Sequence, residues 1–511
     1  MRLRPDLAPS GFDLFRGNGP ASIPDTGGNP SDPHFARPAS AAFFSKADLL
    51  GASSLEYGRG KLFLGRLDHK MIGIADGRHI VTLAGSGGGK SVCSLIPNLL
   101  LYDGSALVLD PKGELADATA KARADMGQAV AVLDPFGITD AAKCGAYVTT
   151  FNPLSELKDD PDFLIENAEL VADALIIPAE KDAHWTDAAR AFVRMGVLLQ
   201  VVDPATGGDN LGELPALISQ IAAQSAAKGK EDDGASGLLD DLAAVDLGDV
   251  PDNQGAVWAV IKNQAQAMVG MSDKERASVI STARTQLTFL DSPAMGRAVA
   301  ASALALADLK RSPSTVYLCL PAARMGTHSR WLRLIVNLAI AAMERERATP
   351  ALPVLFVLEE FAALGHMRAL ENAVAYMRGF GVKIWAVLQD ITQLKRHYKE
   401  SWETFLGNAG VLQAYSVNDL SSLEYLSKRM GETTLLITNK QDVSSSAAMS
   451  GDTGLRREFQ RLPLMSPDEI GRQFAHKVAP DGRALGGLSL VLWSGKAPMM
   501  VERVFYGELV A

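Results

Sequence analysis

The stretch HIVTLAGSGGGKSVCSLIPNLL, His79 to Leu100, decides the fold. It opens as an apolar run, crosses five residues of which four are glycine, meets Lys-Ser, and turns apolar again at helical spacing. Glycine gives up side-chain burial and costs backbone entropy, so Gly85, Ser86, Gly87, Gly88 and Gly89 exploit what glycine offers, close backbone approach and positive φ. A strand entering such a loop, followed by a helix opening at Lys-Ser, brings several N–H groups and a helix N-terminus onto one anion. The pattern A-x-x-x-x-G-K-S, Ala84 to Ser91, differs from a strict Walker A only in having Ala84 for the first glycine. It predicts a nucleoside triphosphate cradled by the loop, with Lys90 at the β- and γ-phosphates and the Ser91 hydroxyl on Mg²⁺. A glycine-rich turn that happens to precede Lys-Ser is the plainer alternative. The flanking strand (Ile80 to Ala84) and helix (Ser91 to Leu101) favour the phosphate reading.

The chain has 511 residues, too many for one core, and its 47% hydrophobic and 21% charged content is that of an ordinary globular protein. A net charge of −9 gives no global basic field, so any contact with nucleic acid must be local. The three cysteines, Cys93, Cys144 and Cys319, are far apart and read as reduced thiols of a cytoplasmic protein. None forms a CxxC, and the eight histidines make no HxxxH or HExxH pair, which argues against zinc. A bilayer span needs about 20 consecutive apolar residues. The nearest candidate, WLRLIVNLAIAAM (Trp331 to Met343), is short and contains Arg333, which suits a buried helix instead. Residues 1–40 hold seven prolines and five glycines and read as an extended or disordered arm.

Strand and helix patterns alternate from Lys61 through SALVLD (Ser105 to Asp110) and AVAVLDPFG (Ala129 to Gly137), which predicts an α/β fold with a parallel sheet. Residues 158–292 are Ala- and Leu-rich at helical spacing and predict an inserted all-α domain. Within them, Lys228 to Asn253 carries eight acidic residues and reads as a solvated loop. Strand signals resume at STVYLCLP, PVLFVLEEF and KIWAVLQD, so 41–157 and 293–511 together form the nucleotide-binding domain. The polar run Ile437 to Gly454 reads as a hairpin tip.

Hydrolysis needs acids as well as a phosphate loop, and VLFVLEEFAALG supplies them. Glu359-Glu360 follow a buried strand at its C-terminal end, where open α/β sheets collect ligands. Glu359 would hold Mg²⁺ with Ser91, and Glu360 would deprotonate the attacking water. Aspartate is the usual first acid, and the alternative is that Glu-Glu merely starts a helix. Gln389 ends another apolar strand and could sense the γ-phosphate, or merely cap. Arg378, in YMRGFGVK, could meet transition-state charge across a subunit boundary, or be simply solvated.

Together these motifs resemble the type IV coupling proteins, the ATPases of conjugation and type IV secretion. The resembling stretches are ASAAFFSKADLL, HIVTLAGSGGGKSVCSLIPNLL with GSALVLDPKGELADATA, DPFG followed by FNPL, HWTDAARAF, VLFVLEEFAALG, AYMRGFGVKIWAVLQDITQLKRHY and RLPLMSPDEI, in the family's order from about residue 40. The resemblance implies a RecA-like P-loop domain with an inserted all-α domain, homo-hexamers around a channel, and ATP-driven movement of DNA or a relaxase–DNA complex toward a secretion pore. It assigns phosphate, metal, catalytic, finger and sensor roles to Lys90, Ser91, Glu359, Glu360, Arg378 and Gln389. The chain is read as departing from most of the family in beginning almost directly with the cytosolic portion, and from some members in stopping soon after the nucleotide domain without a long C-terminal tail. It is therefore expected in the cytoplasm, or peripheral at the inner membrane through type IV secretion partners. The alternative function is an ATP-gated receptor or adaptor for a protein cargo such as a relaxase or effector, without DNA pumping. A metabolic kinase is a weaker third reading.

Overall fold

The computed structural model describes residues 39–178, 183–227, 237–440, 455–478 and 484–509. All but the last two residues of the expected N-terminal arm and most of the Ile437–Gly454 tip lie outside them.

Sixteen strands occur among the described residues. In chain order they are β1 (Leu62–Leu67), β2 (Lys70–Ile74), β3 (His79–Ala84), β4 (Ala106–Asp110), β5 (Ala129–Leu133), β6 (Val148–Thr149), β7 (Ser314–Cys319), β8 (Val354–Leu358), β9 (Val382–Leu388), β10 (Ala409–Tyr415), β11 (Glu432–Lys440), β12 (Leu455–Pro463), β13 (Lys477–Val478), β14 (Ala484–Leu485), β15 (Leu488–Trp493) and β16 (Met499–Glu502). A 12-stranded sheet runs β2-β1-β16-β15-β10-β3-β9-β8-β4-β7-β5-β6. From β10 to β6 all pairings are parallel, and β15, β16, β1 and β2 extend the sheet antiparallel. The remaining strands form two small ribbons, β11–β12 and β13–β14.

The central strands are buried on both faces, which is why they read as continuous apolar runs rather than alternating ones. Their side chains divide by parity between two cores. Leu107, Leu109, Phe356 and Leu358 join one core with the helices of residues 164–299 and helix Met325–Arg345. Ala106, Val108, Leu355 and Val357 join the other with Leu95 and Leu99 of the helix after the phosphate loop and Leu115 of helix Glu114–Asp125. The protein is thus an α/β fold in three layers with β3 near the centre of its sheet, the architecture expected of a RecA-like P-loop protein.

Long helices fill the Ala- and Leu-rich region: Leu164–Leu175, Ala183–Val202, Leu214–Ala227, Gly255–Gly270 and Asp273–Leu287. Helix Leu164–Leu175 packs on both Ala183–Val202 and Met325–Arg345, carrying the core outward from the sheet. The acidic stretch expected to be loop contains helix Leu238–Ala244, which buries Leu239 and Leu242 while Asp240 and Asp241 occupy its first turn. Two apolar anchors and favourable acid placement outweigh the local charge. The helix after the phosphate loop also departs from expectation. It begins as a π-helical turn, Ser91–Leu95, before the α-helix Ile96–Leu101. Such turns are frequent at functional sites. No helix among the described residues is long and apolar enough to cross a membrane.

Candidate nucleotide-binding site

The parallel strands converge their C-terminal ends on the loop after β3. Gly85 leaves that strand so close to its neighbour that a Cβ there would stand 2.2 Å from the Ser416 carbonyl oxygen. Gly87 and Gly89 take φ of +71° and +83°. The loop curls back with Gly88 N–H donating to Gly85 O at 3.0 Å, and the helix starts at Lys90. The sequence-predicted loop residues thus form a turn opening on a helix N-terminus, the geometry that receives phosphate.

The Lys90 ammonium lies 3.3 Å from Glu360 Oε2 and 4.0 Å from Glu359 Oε1. Ser91 Oγ stands 2.7 Å from Glu114 Oε1 and 2.9 Å from Glu359 Oε1. Its single proton serves one of them at a time. Glu359 is fully buried, and burial raises its carboxyl to about 7 against the opposing pull of Lys90. Asp110, equally buried at the end of β4, is raised to about 6 by burial despite accepting from Ala116 N–H and Lys112 N–H. Glu360 follows Glu359 with φ 59° and ψ 47°, a left-handed backbone that a non-glycine residue adopts at a cost of about 1–2 kcal/mol. That turn swings its side chain out of the strand line and over Lys90. Gln389, at the end of β9, donates through Nε2 to Glu360 Oε1 at 3.3 Å, while its own N–H is held by Gln393 Oε1 at 3.0 Å.

This donor set suits a hard divalent cation. Glu359 Oε2 is buried without a hydrogen-bond partner, an orphan that a cation would satisfy. No cluster of three or more His, Cys, Asp or Glu among the described residues is placed to hold a metal unaided. Ser91 and Glu359 would therefore share the ion with phosphate oxygens and water, as Mg²⁺ prefers.

Arg378 stands apart from this cluster. It is exposed in the turn Met377–Phe380 before β9, with Nε 3.3 Å from where a Cβ on Gly77 would be. Gln389 lies at the other end of that strand, about 20 Å away at ~3.3 Å per residue. The fold brings Lys90, Ser91, Glu359, Glu360 and Gln389 together within one chain and leaves Arg378 at the opposite end of the sheet.

Four neighbours of the loop escaped the sequence reading. Asp110 had a signal, since it ends an apolar strand just as Glu359 does. Glu114 opens a helix and carried only the general sign of a first-turn acid. Ser416 ends β10 at φ 53° with a buried, unpartnered hydroxyl against Gly88. Arg503 is 3% exposed, donates through Nη1 to Gly88 O, and lies over the Tyr415 ring 4.8 Å from its centroid. Its partner is 415 residues away, a distance no local pattern spans.

Comparison with known proteins shows what the chain is similar to. The family model described as Type IV secretory system Conjugative DNA transfer matches residues 45–508. The chain is 26% identical over 439 residues to a conjugal transfer protein TraG of Escherichia coli, covering 82% of this chain and 65% of that one. It is 25% identical over 441 residues to protein VirD4 of Rhizobium rhizogenes, covering 84% and 58%. The chain thus spans less than two thirds of the length of these curated relatives. Among solved structures, the plasmid coupling protein TrwB in complex with the non-hydrolysable ATP analogue ADPNP superposes with a TM-score of 0.61 at 16% identity, over 94% of this chain and 96% of that one.

Proposed function

The chain belongs to the type IV secretory system conjugative DNA transfer family, and on that premise we propose that it is a Mg²⁺-dependent ATPase that couples hydrolysis to movement of DNA, or of a DNA–relaxase complex, toward a secretion channel. The observation that carries the proposal is the chain of contacts from Lys90 through Glu360 to Gln389 at the ends of three adjacent parallel strands. Phosphate-binding cation, base and polar sensor are thereby gathered beside the phosphate loop, where positioning and charge stabilisation carry phosphoryl transfer.

The Lys90 ammonium lies 3.3 Å from Glu360, within reach of both that carboxylate and a phosphate seated on the loop. The β- and γ-phosphates compete for that ammonium, and its transfer to phosphate frees the Glu360 carboxylate to take a proton from the attacking water. Gln389 keeps the carboxylate oriented by its amide hydrogen bond. Ser91 and Glu359 would hold Mg²⁺, which would supply positive charge against that of the phosphates. Arg378, remote from its own chain's site, is available to a neighbour's. We assign it as a finger acting in trans within a homo-hexamer, with access to the inner membrane through type IV secretion partners. The helical region of residues 158–292 is assigned as an inserted domain of that assembly.

The test is steady-state ATP turnover with single-stranded DNA, duplex DNA, a protein cargo and no addition. Acceleration by DNA supports the coupling reading. Acceleration by protein cargo alone would replace it with a protein receptor.

A further inference from the structure

We infer that the segment following β16 forms the nucleobase side of this site, with the exposed Phe505 ring as a stacking platform; the inference rests on the nucleotide reading above. The polarity of the site comes from strand order. Gln389, Glu360 and Asp110 end β9, β8 and β4, all on one side of the phosphate loop, so the γ-phosphate faces that side. On the other side stand β10, β15 and β16. A triphosphate seated on the loop directs its sugar and base away from the acids, along the first turn of the following helix.

The chain after β16 begins beside the loop on that side. Arg503 reaches Gly88 O, and its Nη1 stands 3.8 Å from where a Cβ on Gly89 would be. A Cβ on Gly89 would also stand 3.5 Å from Cys93 Sγ, so the Arg503 guanidinium lies beside the first turn of the helix. Within the segment Arg503 and Val504 are 3% and 2% exposed, whereas Phe505 is 40% exposed. The Phe505 ring leans on Tyr506 with centroids 4.7 Å apart and planes at 42°, a support that fixes its orientation while surface remains open. An aromatic face reads stacking area rather than base-edge hydrogen bonds. Adenine and guanine nucleotides should therefore bind alike, and pyrimidine nucleotides more weakly.

The experiment is calorimetric titration of the intact chain, as wild type, Phe505→Ala and Phe505→Trp, with ATP and with inorganic tripolyphosphate, which has the phosphates but no base. Phe505→Ala should weaken ATP binding about tenfold, the scale of one lost base stack, and leave tripolyphosphate within about twofold. Phe505→Trp should restore ATP binding. Unchanged ATP affinity in Phe505→Ala, or equal weakening of ATP and tripolyphosphate, would overturn the inference, the latter because Phe505 would then act through the loop itself. Failure of the wild type to bind either compound would instead refute the nucleotide site, a result distinct from the other two.

Discussion

Glu360 and Glu359 are adjacent in sequence yet sit in opposite environments. Glu360 is turned out by its left-handed backbone onto Lys90, whereas Glu359 is sealed beneath Ser91. Glu360→Gln removes the base and keeps the shape. It should bind ATP and turn it over roughly 10²-fold more slowly or worse, and wild-type turnover would reject the assignment. Lys90→Ala should lose nucleotide affinity, read by the same calorimetry. Glu359 gives a pH prediction. Its carboxyl rises from 4.5 to about 7 on folding, so the folded chain retains a proton that the unfolded chain releases. The Glu359 contribution to stability without metal or nucleotide is then fullest below about pH 4.5, falls as pH rises through the interval to 7, and is level above it. Glu359→Gln abolishes that cost and should melt higher than wild type at pH 8 in chelator, with the gap closing toward pH 4.5. A gap independent of pH would contradict the burial argument. These residues were legible because each follows an unbroken apolar run or a glycine loop. Arg503 and Ser416 were not, because they reach the loop only through tertiary pairing of strands far apart in the chain.

At the scale of elements, β3, β4, β7, β8 and β9 were legible because burial on both faces makes them uninterrupted apolar words. Strand β10 was missed. Gly410 and Gln413 interrupt its pattern, and only the fold explains them: Gly410 passes against Asp76, and the buried Gln413 donates to Leu64 O at 3.2 Å. Arg333 was read as the residue that disqualifies a membrane span, and the structure gives it a task. It is 2% exposed in helix Met325–Arg345, where Nη1 donates to Leu364 O and His366 O, both at 2.7 Å, and Nε to Ala174 O at 3.4 Å. It joins the turn after Glu360 to the helices of the 158–292 region. Arg333→Ala would leave those carbonyls unsatisfied and should cost about 3 kcal/mol or more, read as a lower denaturation midpoint at unchanged m-value. A loss under about 0.5 kcal/mol would mean that water replaces the guanidinium without penalty.

At the scale of the whole molecule, the 12-stranded sheet separates Arg378 from the acids of its own chain, which leaves a role at a neighbour's site as the proposed one. Arg378→Ala and Glu360→Gln should each be inactive, with the loss from Arg378→Ala about 10³-fold if it acts as a finger. A mixture should recover activity at interfaces where an intact Glu360 faces an intact Arg378, and recovery should rise with protein concentration. If subunits exchange and the mixture stays as inactive as its parts, Arg378 is a solvated surface residue. The proposed hexamer and cargo were never legible in periodicity or spacing, since one chain's sequence encodes its neighbours only through surfaces. The central claim, that hydrolysis at Lys90 and Glu360 drives movement along DNA, is tested most directly by displacement of a triplex-forming strand from duplex DNA. The account predicts ATP-dependent displacement by the wild type and none by Glu360→Gln; displacement by neither, alongside full ATP turnover by the wild type, would contradict it.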